Sequence, residues 1–209
     1  MKSGTRIDKL YRRVCTLSLV LLLALTAGGV SAAEPLTEVQ STVDEVLTLL
    51  RNKSLAHEAR RQKLREVIRP TFDFEVMSQW VLGTNWRKAS AAERERFIEL
   101  FTDLLEATYI GKIESYTDER VDYIGQKLEG ERAEVETLVK TASVDIPIRY
   151  KLFSKGGQWL VYDVVIEEVS LVRNYRSTYD EIVRKEGFAG LFSRMEEKVR
   201  ELKTPKAAS

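Results

Sequence analysis

Residues 159–166, Trp-Leu-Val-Tyr-Asp-Val-Val-Ile, constrain this chain more than any other stretch. They are apolar on both faces of a strand: Trp159, Val161 and Val165 on one, Leu160, Tyr162, Val164 and Ile166 on the other. Such a strand must be covered on both sides. In the run before it, Val144, Ile146, Ile148, Tyr150 and Leu152 alternate with Asp145, Pro147, Arg149, Lys151 and Phe153, the period of two of a half-buried strand. Lys155-Gly156-Gly157-Gln158 joins the two as a hairpin, because paired glycines accept the positive φ of a tight turn. A helical layer supplies one cover. The other is a second protein layer or something that is not protein, and that choice decides the function.

Two further strands are expected at about Arg120–Leu128 and Arg132–Ala142, joined across Glu129-Gly130. They complete a four-stranded antiparallel sheet over 119–172. Helices fill 34–118. Leu36, Val39, Val43, Val46, Leu47 and Leu50 step by three and four from Pro35 onward. A second helix is expected from Ser54, as N-cap, to Arg69, where Pro70 stops it; a third runs from Phe72 to Leu82 and ends at Gly83. Ser90-Ala91-Ala92-Glu93 reads as a capping box. It opens a helix striped with Ile98, Phe101, Leu105, Tyr109, Ile113 and Tyr116, roughly 35 to 40 Å long, with an interruption expected at Gly111. The helical period returns over 173–203 with a break at Gly187, and Pro205 onward reads as a frayed tail. Helices, a meander of strands and helices again make the class α+β.

The first 33 residues read as a cleaved secretory signal peptide. Lys2, Arg6, Lys9, Arg12 and Arg13 precede a short apolar run, Leu17–Leu25, and small residues end at Ala33. This address implies export from the cytoplasm. Cleavage removes Cys15, the only cysteine, and leaves a single mature domain over 34–209 with no disulfide. The leader holds five of the 33 basic residues and one of the 32 acidic ones, so the mature chain carries 28 against 31, a formal −3. That balance argues against a nucleic-acid partner.

Catalytic signatures are sparse. His57, the only histidine, sits among Glu58, Arg60 and Arg61 and reads as incidental. No glycine-rich phosphate loop, nucleophile elbow or cysteine cluster is present, so neither metal nor cofactor is expected. Asp163 is the best catalytic suspect: a desolvated carboxylate beside Tyr162 can serve as a proton-shuttling base. The reading favoured for it is a carboxylate hydrogen-bonded to fix a strand or loop. The aromatic residues fall mostly on inward stripes and read singly as core. Together with the two-sided strand they point to a lined cavity between sheet and helices.

Several motifs then resemble the MlaC family of periplasmic phospholipid-binding proteins, also called the toluene-tolerance auxiliary family. They are Phe72-Asp73-Phe74 with Met77, Val81-Leu82-Gly83 with Trp86-Arg87, and Phe97 to Phe101 with Thr108-Tyr109. The strongest is Gly157-x-Trp159-x-Val161-x-Asp163-Val164-x-Ile166 running into Val169-Ser170-Leu171-Val172-x-Asn174-Tyr175-Arg176. Glu168 stands where the family usually has Gly. The resemblance implies an NTF2-like curved sheet merged with helices around an apolar cavity, and a carrier rather than an enzyme. It implies phospholipid exchange with an outer-membrane MlaA–porin complex and an inner-membrane MlaD ring of an ABC transporter, maintaining outer-membrane lipid asymmetry.

The expected tail contacts are Tyr109, Ile113 and Tyr116 on the long helix, and Ile146, Ile148, Tyr150, Val161, Val164 and Ile166 on the sheet. Val169, Leu171, Val172 and Tyr175 are expected at the turn into the last helices. Which face of the last strand points inward is left open. Asp163 shares the face of Trp159 and Val161, which favours the Val164 and Ile166 face. The rival readings are an NTF2-like enzyme acting on a small apolar substrate, a carrier of another apolar ligand, and an envelope adaptor with a solid core.

Overall fold

The computed structural model describes residues 34–116 and 119–204. The leader expected over 1–33 and the tail from 205 lie outside them. The elements in order are α1 (Pro35–Arg51), α2 (His57–Ile68), a 3-10 turn (Arg69–Thr71), α3 (Phe74–Leu82), α4 (Asn85–Lys88) and α5 (Ala91–Glu114). There follow β1 (Arg120–Glu129), β2 (Arg132–Lys140), β3 (Asp145–Lys155), β4 (Gln158–Ile166), β5 (Val169–Ser170) and α6 (Leu171–Lys203). The antiparallel sheet runs β1-β2-β3-β4-β5, five strands rather than the four expected. The extra one is two residues long. It forms because Glu167 and Glu168 both take positive φ, 47° and 67°, and turn the chain back on β4. A side chain at Glu168 therefore occupies a conformation that favours glycine, at a cost of about 1–2 kcal/mol. Its carboxylate meets the Arg149 guanidinium at 2.5 Å.

The capping box forms as the sequence dictates. Ser90 Oγ accepts from the Glu93 amide at 3.2 Å, and Glu93 Oε2 accepts from the Ser90 amide at 2.8 Å. Helix α5 then continues unbroken through Gly111 to Glu114. A glycine inside a helix weakens it by about 1 kcal/mol, which the packing on both sides outweighs. Ser54 does not cap α2. The helix starts at His57 behind Ala56, and Ser54 bonds the Asn52 side chain instead. Gly83 ends α3 at φ 54°, and a Cβ there would meet the Arg176 guanidinium at 2.7 Å. The expected break at Gly187 is present, with φ 69° and ψ −173°, so α6 doubles back over α5.

Two cores result. One is wholly helical: Met77, Val81, Phe97, Phe101, Leu191 and Met195 are buried almost without exposure, and Tyr175 and Tyr179 meet Phe101 edge-on. The other lies between α1 and the concave face of the sheet, around Val39, Val135, Leu152, Val161 and Val164. Phe72-Asp73 joins them. Asp73 donates its amide to the Val161 carbonyl, and its carboxylate caps α3 at Val76 and holds the Lys155 ammonium at 2.6 Å.

Candidate functional site

The strand that opened the argument carries a bulge. Leu152 pairs with Val161 and Lys151 with Asp163, so Tyr162 is the extra residue. The bulge resets the alternation. Val161 pairs with Leu152, and Val164 with Tyr150, whose side chains share one face. Trp159, Val161, Val164 and Ile166 therefore all join the concave-face cluster, while Tyr162 packs with Trp80 and Phe153 on the other side. Val161, Val164 and Ile166 thus share one face, which plain alternation along the strand would divide.

Over this face α1 spans an unfilled groove. Its N-terminal end is tied to β1 by the Leu36 amide donating to Gln126 Oε1 at 2.8 Å. Its middle is held by the Tyr123 hydroxyl donating to Asp44 Oδ1 at 2.9 Å, and its end by Arg51 donating to the Glu119 carbonyl at 3.3 Å. Burial, then the hydrogen bond to Asp44, pushes the Tyr123 phenol well above its ordinary value. Only Pro35, Val39 and Leu50 of the 17 residues in α1 are buried. The rest of its apolar stripe, Val43, Val46 and Leu47, is half-buried because it faces a cavity of about 220 Å³. Counted wall to wall with its open mouth, the space is about 1030 Å³.

The walls are apolar and of moderate size. Helix α1 gives Val39, Val43, Val46, Leu47 and Leu50; the sheet gives Val121, Val139, Ile148, Tyr150, Leu152, Trp159 and Val161. Ile68 and Phe72 close one side, Ile113 and Tyr116 another. The hydroxyls in the lining are turned away from the void: Thr42 donates to the Glu38 carbonyl at 3.0 Å and Thr71 to the Ile68 carbonyl at 2.7 Å. Each hydroxyl proton is thus already engaged within its own turn. Tyr150, its phenol pushed up by burial, is hydrogen-bonded to the Thr137 side chain.

Of the residues named from sequence, the cavity brings together Ile113, Tyr116, Ile148, Tyr150 and Val161. Ile146 sits at the end of the same face, paired with Val139, and Val164, Ile166 and Leu171 pack against the concave-face cluster outside the cavity. Val169 is exposed on β5. Tyr109, Val172 and Tyr175 belong to the helical core, where Lys112 stands 5.3 Å over the Tyr109 ring. The sequence marks α1 as an amphipathic helix, and none of its residues is among the expected tail contacts, although five of its apolar residues line the cavity. The available signal was its lack of any aromatic residue: a stripe of valines and leucines sends little side-chain volume into the space before it. Asp163 is buried away from the groove and fully engaged. It accepts from the Ser170 hydroxyl at 2.7 Å and the Val172 amide at 3.1 Å, which fixes the start of α6.

The same architecture occurs in a solved structure, a phospholipid-binding protein from Ralstonia solanacearum in complex with a phospholipid. Its TM-score is 0.75 at 22% sequence identity, and the match covers 82% of this chain and 100% of that one. Among curated proteins, the intermembrane phospholipid transport system binding protein MlaC of Haemophilus influenzae is 22% identical over 183 residues, 83% of this chain and 86% of the relative. The toluene tolerance protein ttg2D of Pseudomonas putida is 25% identical over 176 residues, 81% and 82% of the two chains. The family model for MlaC protein matches residues 40–197. That span reaches from the middle of α1, across the groove and sheet, to the second half of α6, and the chain belongs to the MlaC family.

Proposed function

We propose that this protein carries phospholipid through the periplasm, with acyl tail held in the groove between α1 and the concave sheet. The observation that supports this most is a hollow lined by hydrocarbon and left unfilled by the polypeptide's own side chains. A cavity of about 150 Å³ with such walls stays dry and takes up a benzene ring. One of 220 Å³ has room for more than a ring.

The energetics fit a carrier. Two tails hold on the order of thirty methylenes, and at about 0.8 kcal/mol each their exposure to water costs roughly 20 to 25 kcal/mol. Spontaneous escape over such a barrier takes about hours. Those tails would take up much of the wall-to-wall space of the groove, and one wall moves to admit them in this reading. The wall held by three polar ties and three buried residues is α1. Release then needs a partner that binds the opened form better than the closed one. The leader over 1–33, removed on export, delivers one mature domain to the periplasm. There the MlaA–porin complex and the MlaD ring of an ABC transporter are the exchange partners this reading assigns, and outer-membrane lipid asymmetry is the outcome.

The tyrosine–aspartate tie gives a direct test. With Asp44→Cys and Tyr123→Cys joined by a short thiol cross-linker, α1 is locked onto β1. Uptake of a fluorescent phospholipid from vesicles should stop and return on cleaving the linker. Uptake at the normal rate with the linker intact contradicts the reading.

A further inference from the structure

Charge is unevenly spread along this chain. Residues 51–69 hold seven lysines and arginines against two glutamates, a formal +5, while 34–209 as a whole carries −3. The fold gathers this segment into α2 and its flanks, beside the groove. Ile68 and Thr71 line the cavity, and Arg51 donates to the carbonyl of Glu119 at its lip.

Helix α5 offsets only part of the excess. Glu114, its side chain 8% exposed, takes the Arg61 Nε at 2.6 Å and His57 at 3.4 Å, with Arg60 at 4.0 Å. Glu106 faces Arg65 at 3.6 Å and Arg69 at 3.8 Å. Two carboxylates thus stand against four guanidiniums. Lys53 and Lys63 are exposed and have no hydrogen bond or ion pair among the described residues. None of the large exposed hydrophobic residues falls in 51–69. The face is therefore suited to lie on charged groups rather than to insert among hydrocarbon chains.

We infer that this face docks the protein onto an anionic phospholipid surface, with lipid phosphates meeting Lys53, Lys63 and Arg69 and the groove lip held at the bilayer. Clusters of four to eight basic residues on a helix are recognised by anionic lipid in this way. Exposed lysines without partners among the described residues, and the lack of large exposed hydrophobic residues in 51–69, complement an anionic headgroup surface. Docking there brings the groove mouth to the membranes in which its exchange partners sit. The inference rests on the carrier reading for its purpose but not for its test.

The purified protein is sedimented with phosphatidylglycerol vesicles and, separately, with phosphatidylcholine vesicles. It should bind the first at low salt, lose them as salt screens the charges, and ignore the second. Lys53→Gln with Lys63→Gln should weaken binding about 30-fold. Lys127→Gln with Lys198→Gln, exposed lysines on β1 and α6, changes net charge equally and should leave binding intact. Equal binding to both vesicles, equal loss in both double variants, or no sedimentation overturns the inference; the last result makes an acidic protein the occupant. Phospholipid extracted from the same purified protein tests the carrier reading separately. Lipid present without vesicle binding ends only the docking inference, and vesicle binding without extractable lipid ends only the carrier reading.

Discussion

The two cores of this protein are built from the same kind of sequence and come out differently. The helical one, between α3, α5 and α6, is filled: Phe97 and Phe101 stack at 5.5 Å, and Tyr175 and Tyr179 close on their edges. The other, between α1 and the sheet, draws only valine and leucine from α1, with Phe72, Tyr116, Tyr150 and Trp159 on the remaining walls, and leaves about 220 Å³ empty. An amphipathic stripe therefore says which way a helix faces, not how much space lies in front of it. What separates the two is side-chain volume. α5 sends aromatic rings into its interface and α1 sends none.

The contrast makes unequal predictions. Phe101→Ala in the filled core should cost about 3–5 kcal/mol in urea unfolding. Val46→Ala, on an equally regular stripe, should cost less than about 1 kcal/mol, because its neighbours already lack contacts on one side. Equal losses would erase the distinction. Enlargement should act in the opposite sense. A larger residue in a filled core costs about 1–3 kcal/mol, whereas Val43→Phe should leave the melting temperature unchanged or higher while abolishing phospholipid uptake. A lower melting temperature with uptake preserved would mean that the groove is not where lipid sits.

A smaller effect belongs to the sheet's rim. Glu168→Gly should relieve the positive φ and stabilise by about 1 kcal/mol, the exposed ion pair to Arg149 being worth less than the strain. Destabilisation would show that the ion pair dominates. The smallest effect is a pH dependence, which should come from buried phenols in both regions, Tyr109 and Tyr179 in the filled core and Tyr123 and Tyr150 at the groove. Burial, with Tyr175 alongside, pushes the Tyr109 phenol up to about 12. The unfolded chain then loses that proton first, near pH 10. Stability should be level below pH 10 and fall from there toward pH 12. A phenolate absorbance step near pH 10 in the folded protein that disappears in Tyr109→Phe would contradict this.

Much of this was readable from residues alone, and the misses share a cause. Caps and breakers act locally, so the Ser90–Glu93 box, the stop at Gly83 and the break at Gly187 all stand where the sequence puts them. The α+β class follows from local periodicity as well. The bulge at Tyr162 has no local signal, since Trp-Leu-Val-Tyr-Asp is a regular apolar run, and it decides which β4 side chains share a face. The fifth strand depends on two glutamates accepting a conformation they do not favour. The groove's outer wall, α1, was hidden for a third reason: a void is a property of two surfaces far apart in sequence, and neither announces it alone. Asp163 went the other way: the reading favoured for it, a carboxylate hydrogen-bonded to fix a strand or loop, is what its bonds to Ser170 and Val172 show.

The central claim is that hydrocarbon from another molecule completes the second core. Native mass spectrometry of the protein purified from a Gram-negative periplasm weighs that molecule directly. The account predicts an added mass of one phospholipid, released on denaturation and absent from Val43→Phe. A protein at its bare polypeptide mass, or one carrying a mass that is not a phospholipid, would contradict it.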